Sequence, residues 1–324
     1  MRPFLLHIIC IVMLFSSCNW VNDDLSDCPT GTWLKISYTY NILDVDAASS
    51  QVGDITIFAF DKNNKYVDRL DVDSIALHQG YCMVRVPFPE GSYHLLLWGG
   101  ASDRQYRFPY LKTGQTERKS LLLSLICNSE KQMNGKLNGL FYGSLENITI
   151  SNDYQVLDAP LVKNTNYFSC ILQDDNNLLN QEDFTFTLEA ANGVMDHTNT
   201  PLGTEPVYYH PYRQVSILDE EETPVIHARL NTLRIMKGDQ TTLTIKHVPS
   251  GQEILRLPLT QYLLLSKIHS HTGDEMGDQE YLDRQDSYTL LFFIQSSDMG
   301  IPKICPRIMV NGWTVRLNDS ELEF

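Results

Sequence analysis

Beyond its N-terminal segment, the sequence has no apolar run long enough to cross a bilayer as a helix, which takes roughly 20 residues. Basic side chains are also few. The 324 residues include 25 Lys and Arg against 40 Asp and Glu, for a formal net charge of −15. Such acidity argues against a nucleic-acid partner and against a basic surface that would hold anionic lipid headgroups.

Catalytic motifs are missing as well: there is no G-x-S-x-G, Walker, H-E-x-x-H or G-x-G-x-x-G segment. His269 and His271, near Asp274 and Glu275, form the one metal-like grouping. No third ligand there has convincing spacing. The acidic run that continues to Asp286 lacks the regular spacing of a calcium loop, which favours a solvated segment. We therefore expect no enzyme activity, no cofactor and no metal site.

The seven cysteines are scattered, with no C-x-x-C pair. Cys82 alternates with Val84 and Val86, which predicts a buried position on the inner face of a strand. One or two disulfides remain possible in an exported protein, and the sequence leaves their pairing open. The cysteines that follow position 18 are Cys28, Cys82, Cys127, Cys170 and Cys305.

The N-terminus begins with a short apolar run that opens with Arg2 and ends at Ser16, Ser17 and Cys18. A basic residue, a short hydrophobic core and two small residues before a cysteine resemble a bacterial lipoprotein signal peptide. The resemblance implies cleavage between Ser17 and Cys18, and lipidation of Cys18 as the new N-terminus. The alternative is an ordinary signal peptide with an incidental cysteine.

Residues 22–27 are acidic and lack helix or strand periodicity, so residues 18–29 are interpreted as a solvated tether. An acidic cluster just after the acylated cysteine resembles the signal that directs lipoproteins of Bacteroidetes to the outer face of the outer membrane. A merely acidic linker is the alternative.

The remaining chain is rich in strand patterns. Residues 33–40 alternate apolar and polar side chains, whereas residues 55–60 and 93–98 are apolar on both faces, as expected of central strands. Residues 184–188 and 288–294 continue the pattern, and the spacing of residues 259–268 predicts one helix. Strands separated by turns indicate an antiparallel sandwich.

The chain is long for one compact domain and comfortable for two. A polar, turn-rich stretch at residues 151–154 suggests a boundary near Asp158. The predicted organisation is a signal peptide at residues 1–17, the tether at 18–29, an N-terminal β-sandwich at 30–157 and a C-terminal β-sandwich at 158–324.

Several short segments share their order with one known family, namely residues 23–29, 58–61, 65–67, 89–93, 98–100, 140–143, 184–186, 192–193, 232–236 and 279–286. Together they resemble the Mfa2/FimB family of fimbrial anchor proteins of Bacteroidetes. The resemblance implies an all-β fold of two tandem transthyretin-like Greek-key β-sandwiches. It also implies a surface-exposed lipoprotein of the outer membrane that holds the base of a fimbria and limits its assembly, with a fimbrial stalk subunit as partner.

The segment expected to face that partner is the C-terminal hairpin, where Asn311-Gly312 between two apolar runs is a strong hairpin signal. A donated strand would pair with a sheet edge through backbone hydrogen bonds. The other interpretation is that the hairpin simply completes the second sandwich. The candidate partner-strand residues are Arg307, Ile308, Met309, Val310, Trp313, Val315 and Leu317.

A rival function uses the same signal and the same architecture: a surface glycan-binding lipoprotein. Exposed tryptophans could stack on sugar rings, and the chain offers Trp20, Trp33, Trp98 and Trp313. Trp98 and Trp313 lie in strand patterns that suit a core. Tryptophans coplanar on one open face would favour glycan binding, whereas a long bare sheet edge would favour fimbrial assembly.

Overall fold

A computed structural model describes residues 29–78, 80–101, 104–174, 179–203, 205–218, 224–267, 275–295 and 302–316. The predicted all-β class is confirmed, because most of these residues lie in strands that form five sheets. The signal peptide, residues 18–28 of the tether and Leu317 lie outside the described residues. Among the described helices, none is long and apolar enough to span a membrane.

The strands up to residue 163 form the first sandwich and the segment that leads to the second. They are β1 (Thr32–Ser37), β2 (Ile55–Asp61), β3 (Tyr66–Val72), β4 (Leu77–His78), β5 (Tyr81–Arg85), β6 (Gly91–Gly99), β7 (Tyr106–Arg107), β8 (Leu123–Leu125), β9 (Gln132–Met133), β10 (Phe141–Ile150), β11 (Gln155–Pro160) and β12 (Val162–Lys163). One sheet has the order β11-β1-β5-β4 and the other β12-β10-β6-β2-β3.

The five-stranded sheet of this sandwich is covered on both faces. On β2, Ile57 packs into the core shared with the four-stranded sheet, while Phe58 packs into the core of the second half. On β6, Leu97 and Trp98 divide in the same way. This double burial explains why both strands carry apolar side chains on both faces, as the sequence predicted.

The later strands form the second sandwich. They are β13 (Thr165–Asp174), β14 (Phe184–Ala190), β15 (Val194–Met195), β16 (Val207–Tyr209), β17 (Arg213–Leu218), β18 (Pro224–Leu233), β19 (Thr242–His247), β20 (Gln252–Pro258), β21 (Ser287–Gln295), β22 (Lys303–Val310) and β23 (Trp313–Arg316). Sheet β17-β18-β13-β21-β22-β23 packs against sheet β20-β19-β14-β16-β9, and β15-β8-β7 form a small third sheet.

Strand pairing interlocks the two halves. β8 and β9 precede the proposed boundary, yet they pair with β15 and β16 of the second half. The boundary itself falls within β11, which pairs with β1 as far as Pro160. The division into 30–157 and 158–324 stays a prediction.

The sandwiches are not purely antiparallel. β1 pairs with β11, β13 with β21 and β16 with β9 in parallel. Parallel neighbours are joined by long connections, so each strand meets a partner far away in sequence. Periodicity within a strand carries no information about that choice, and the expectation of an antiparallel arrangement is corrected here.

The described α-helices are α1 (Ala48–Gln51), α2 (Leu259–Leu265) and α3 (Asp278–Arg284), and two short 3₁₀ turns lie at Arg118–Ser120 and Gln181–Asp183. The predicted helix at 259–268 is present as α2. α3 corrects the interpretation of the acidic run as a solvated segment, since Tyr281, Leu282 and Asp283 are buried. Asp278 and Glu280 lie in its first turn, where carboxylates interact favourably with the helix dipole.

Candidate partner-binding edge and the junction between the halves

The predicted C-terminal hairpin is present as β22 and β23. Asn311 and Gly312 form its two-residue loop with φ values of 49° and 83°, the left-handed backbone that a type I′ turn requires. Val310 is the register partner of Trp313, and Ile308 that of Val315. The Asn-Gly pair was therefore a reliable signal for this element.

The hairpin completes the six-stranded sheet. β22 lies between β21 and β23, and Ile308 and Val310 are fully buried in the core near Phe292. Met309 is half-buried on the other face. Of the remaining candidate residues, Arg307 pairs with Arg316 in the register, and Leu317 lies outside the described residues.

The loop of the hairpin is fixed to the protein body. The backbone N–H of Asn311 donates to the carbonyl oxygen of Thr289 at 2.8 Å, and the N–H of Thr289 donates to Asn311 Oδ1 at 2.8 Å. Asn311 Nδ2 also lies 3.5 Å from the hydroxyl of Tyr281 on α3. Burial raises the pKa of Tyr281, so its hydroxyl stays protonated at neutral pH.

β23 is the outermost strand of this sheet among the described residues. In a two-residue hairpin the residues that flank the loop exchange backbone hydrogen bonds, and the pairs alternate from there. The pairs of Trp313 and Val315 are therefore bonded to β22. The N–H and C=O of exposed Thr314 point away from β22, so they form the free edge of the sheet.

Two other edge strands are closed in part by hydrogen bonds to neighbouring segments. On β3, the N–H of Tyr66 donates to the carbonyl oxygen of Thr116 at 2.8 Å, which closes that part of the edge. On β17, the N–H of Ser216 donates to Gln181 Oε1 at 2.8 Å. Natural sheets blunt their edges in this way, and Thr314 on β23 has no such cover among the described residues.

A buried ion pair positions α3. Arg234 follows β18, and its Nε and Nη2 donate to the two carboxylate oxygens of Asp283 at 2.8 and 2.7 Å. The side chains are 13% and 7% exposed. Arg234 Nη1 donates to the carbonyl oxygen of Asn199 at 2.5 Å, and Gln279 Nε2 donates to Asp283 at 3.0 Å. Such a bidentate, fully bonded pair fixes geometry more firmly than a surface pair does.

Asn192 links this ion pair to the core of the second sandwich. Its Nδ2 donates to Thr232 Oγ1 at 3.0 Å and to the carbonyl oxygens of Leu233 and Arg234 at 3.0 and 3.1 Å. Its Oδ1 accepts a hydrogen bond of 2.7 Å from the buried hydroxyl of Tyr209. Residues 192–193, 232–236 and 279–286 carried the family resemblance, and the fold brings these three segments into one network.

Ion pairs also join the two halves. Arg284, at the end of α3, pairs with Asp44 of the first half and stacks over Tyr40 at 4.5 Å from the ring centroid. The N–H of Ile42 donates to the carbonyl oxygen of Arg284 at 3.0 Å. Burial alone would lower the pKa of Arg284. The hydrogen bond and charge of Asp44 and the neighbouring Glu280 and Tyr40 together outweigh it and raise the pKa.

A second pair lies nearby at the crossing between the sandwiches. Lys163 of β12 is 7% exposed, and its Nζ lies 2.5 Å from Asp286 Oδ2 and 2.9 Å from Gln51 Oε1. Gln51 belongs to α1 of the first half. Lys163 therefore connects the start of β21 with the first sandwich, and together with Arg284 it holds the two halves in one orientation.

The tryptophans do not form an open platform in the described part of the chain. Trp98 is 1% exposed and packs edge-on against Tyr142, with ring centroids 4.9 Å apart. Trp33 is half-buried, and its indole N–H donates to the carbonyl oxygen of Thr30 at 3.1 Å. Trp20 lies outside the described residues. The arrangement gives no support to sugar stacking on Trp98.

Several sequence predictions concern residues that the structure does not describe. Ser17, Cys18 and Cys28 lie outside the described residues, as do His269 and His271. Cys82 is buried as predicted, and Cys82, Cys127 and Cys170 are free thiols. Within the described residues, no group of three or more His, Cys, Asp or Glu side chains is arranged to hold a metal ion.

Sequence reasoning missed two sets of ionic residues: Arg234 and Asp283, which position α3, and Arg284 and Lys163, which join the two halves. Their partners lie far away in sequence, and no spacing rule connects them. The one available signal was that residues 232–236 and 279–286 both belonged to the segments resembling a known family. That signal indicated where contacts form, but not which atoms form them.

Comparison with known proteins gives a consistent picture. The family described as fimbrillin-A associated anchor proteins Mfa1 and Mfa2 matches residues 25–319. The minor fimbrium anchoring subunit Mfa2 of Porphyromonas gingivalis is 22% identical over 261 residues, which cover 78% of this chain and 77% of that relative.

Solved structures share the fold. The crystal structure of Mfa2 from Porphyromonas gingivalis has a TM-score of 0.68 at 19% identity, covering 90% of this chain and 100% of that one. A Bacteroides thetaiotaomicron protein provisionally named as polysaccharide-binding has a TM-score of 0.77 at 26% identity, with coverage of 90% and 100%. The fold of this chain is therefore similar to the folds of these two solved structures.

Proposed function

The chain belongs to the Mfa2 family of fimbrillin-A associated anchor proteins, and we propose that it attaches the base of a fimbria to the outer membrane and limits fimbrial assembly. The family match over most of the chain is the observation that carries this proposal. A structural, non-enzymatic role agrees with that family.

Attachment to the membrane rests on Cys18. Lipidation would add about 0.8 kcal/mol of membrane affinity for each buried methylene, so several acyl chains would hold the protein firmly. Residues 18–29 would then span the headgroup region as the acidic tether. The protein would lie on the cell surface with its sandwiches clear of the membrane.

Attachment to the stalk rests on the free edge of β23. A strand from a stalk subunit would pair with the outward N–H and C=O of Thr314, in the manner of β-augmentation. The hairpin can complete its own sandwich and still receive that strand, because completing the sheet leaves β23 outermost. In this proposal the hairpin both completes the second sandwich and faces the stalk subunit.

The junction between the halves would carry force from the stalk to the lipid. Arg284 with Asp44, and Lys163 with Asp286, join the second sandwich to the first. We propose that this rigid connection keeps the β23 edge in one orientation relative to the membrane. A lipid-held subunit with one receiving edge would also limit assembly, since growth could start there in a single direction.

The test is a pull-down from detergent-solubilised outer membranes, with bound proteins identified by mass spectrometry and acylation followed by radiolabelled palmitate. Wild type should carry the label and retain a fimbrial subunit. Cys18→Ala should lose the label, whereas Cys28→Ala should keep it. Absence of any fimbrial protein from the wild-type sample, together with signals on a glycan array, would instead favour a glycan-binding lipoprotein.

A further inference from the structure

Two arginines face each other on the outer face of the six-stranded sheet. Arg213 of β17 is the direct register partner of Arg229 of β18, and like charges placed opposite each other repel. Within the described part of the chain, neither guanidinium takes part in an ion pair with a carboxylate. In a chain with 40 acidic residues, this unneutralised pair is available to an external anion.

One arginine of the pair, Arg229, borders a cavity of about 220 Å³. Arg229 lines it together with the hydroxyl-bearing side chains of Ser169, Ser287, Tyr167 and Tyr212. Residues of β13 that alternate with Ser169, such as Cys170, point into the core, which places the cavity on the opposite face of the sheet. The volume is below the roughly 300–1,000 Å³ of a drug-sized pocket, so the cavity suits one ring-sized ligand group.

His227 borders the same region. Its Nε2 lies 2.6 Å from Ser169 Oγ. Burial lowers the pKa of His227, and the charges of Arg229 and Arg213 lower it further. The groups that face this imidazole are therefore Ser169 from β13, Arg213 from β17 and Arg229 from its own strand. The lowered pKa of His227 is thus in part a consequence of the positive charge of the two arginines.

We propose that this cavity binds the carboxylate-bearing ring of an acidic sugar, such as a hexuronic acid unit of a polysaccharide. Guanidinium groups recognise carboxylates through paired hydrogen bonds. The hydroxyl of Tyr167 donates to the carbonyl oxygen of Leu137 at 3.4 Å, and that of Ser169 lies 2.6 Å from His227. The hydroxyls of Ser287 and Tyr212 suit the hydroxyls of a sugar, and a tyrosine ring offers a face on which a sugar ring packs. An acidic side chain of a partner protein would pair with the arginines, but it has no further groups to bond with the serine and tyrosine hydroxyls of the cavity. This activity goes beyond anchoring and does not depend on it.

The experiment is saturation-transfer NMR on the full-length protein with glucuronate as the probe. Glucose tests the need for the carboxylate, and acetate and a short acidic peptide test the need for the sugar ring. Arg229→Gln should weaken glucuronate binding at least tenfold. Arg256→Gln, at a half-exposed arginine of β20, is the matched control and should bind as the wild type does.

A second readout uses histidine labelled with nitrogen-15. Bound glucuronate should raise the pKa of His227 because it neutralises the two arginines, and by linkage affinity should increase as the pH falls through the titration of His227. Equal binding of glucose and glucuronate, or unchanged binding by a folded Arg229→Gln variant, would overturn the proposal. Equal binding of acetate or the acidic peptide would overturn the assignment to a sugar.

Discussion

Replacing Thr314 with proline is expected to weaken binding of a stalk subunit without unfolding the sheet. Thr314 is exposed and its N–H points away from β22, so proline removes a donor that makes no bond within the sheet. Proline is tolerated on edge strands for this reason. The preceding residue, Trp313, lies in a strand, the conformation that a following proline favours.

The size of the effect follows from the hydrogen bonds available at the edge. An added strand would gain bonds from the outward groups of Thr314 and Arg316, each worth about 0.5–1.5 kcal/mol net. Proline at position 314 removes one donor, and its ring displaces the neighbouring strand. A loss of about 1–3 kcal/mol, or about 5- to 150-fold in Kd, is expected.

The assay is the affinity of the purified stalk subunit of the same bacterium, measured by calorimetry beside thermal unfolding. Thr314→Val is the matched control, because it changes the side chain and keeps the N–H. Val315→Pro should lower Tm, since that N–H is bonded to β22. Wild-type affinity in a folded Thr314→Pro variant would refute the assignment of this edge.

Three further predictions concern stability. Asp283→Ala should lower the free energy of unfolding by about 3–5 kcal/mol, because it leaves the buried Arg234 guanidinium without its partner. The double variant Arg234→Met/Asp283→Leu should lower it less in the same denaturant experiment; equal losses would contradict the ion-pair account. The pKa of His227 in the folded protein lies below its usual 6.5. Its contribution to stability should therefore be full above pH 6.5 and be lost as the pH falls from 6.5 through the lower folded pKa. Parallel profiles of stability against pH for wild type and His227→Gln would contradict this. Gly100→Ala should lower the free energy of unfolding by about 2–5 kcal/mol, because φ is +69° and a Cβ would lie 1.9 Å from a backbone oxygen. Gly114→Ala, at φ +72° in open space, should lower it by only about 1–2 kcal/mol. Similar losses in the two variants would contradict the steric argument.

Local signals predicted the local structure well. The patterns of residues 55–60 and 93–98 predicted strands buried on both faces. The corresponding strands, β2 and β6, are buried between two cores. The Asn311-Gly312 loop and helix α2 were predicted in the same way. In each case the information lies within a few residues, as side-chain alternation, helical spacing or turn chemistry.

Long-range arrangement was beyond such signals. The parallel pairing of β13 with β21 joins residues more than a hundred positions apart, and nothing in either strand specifies the other. Helix α3 was misread because its carboxylates suggested solvent, although Asp283 is buried against Arg234. The free edge at Thr314 likewise depends on which strand lies outermost.

Fimbriae on the cell and in the medium provide the most direct test of the anchoring role. Cells that carry wild type, Cys18→Ala or Cys28→Ala are compared by electron microscopy and by immunoblotting of the fimbrial subunit in both fractions. The account predicts that Cys18→Ala alone releases fimbriae into the medium, and that the released fimbriae retain the mutant protein at one end. Fimbriae that stay attached to cells with unlipidated protein would contradict it.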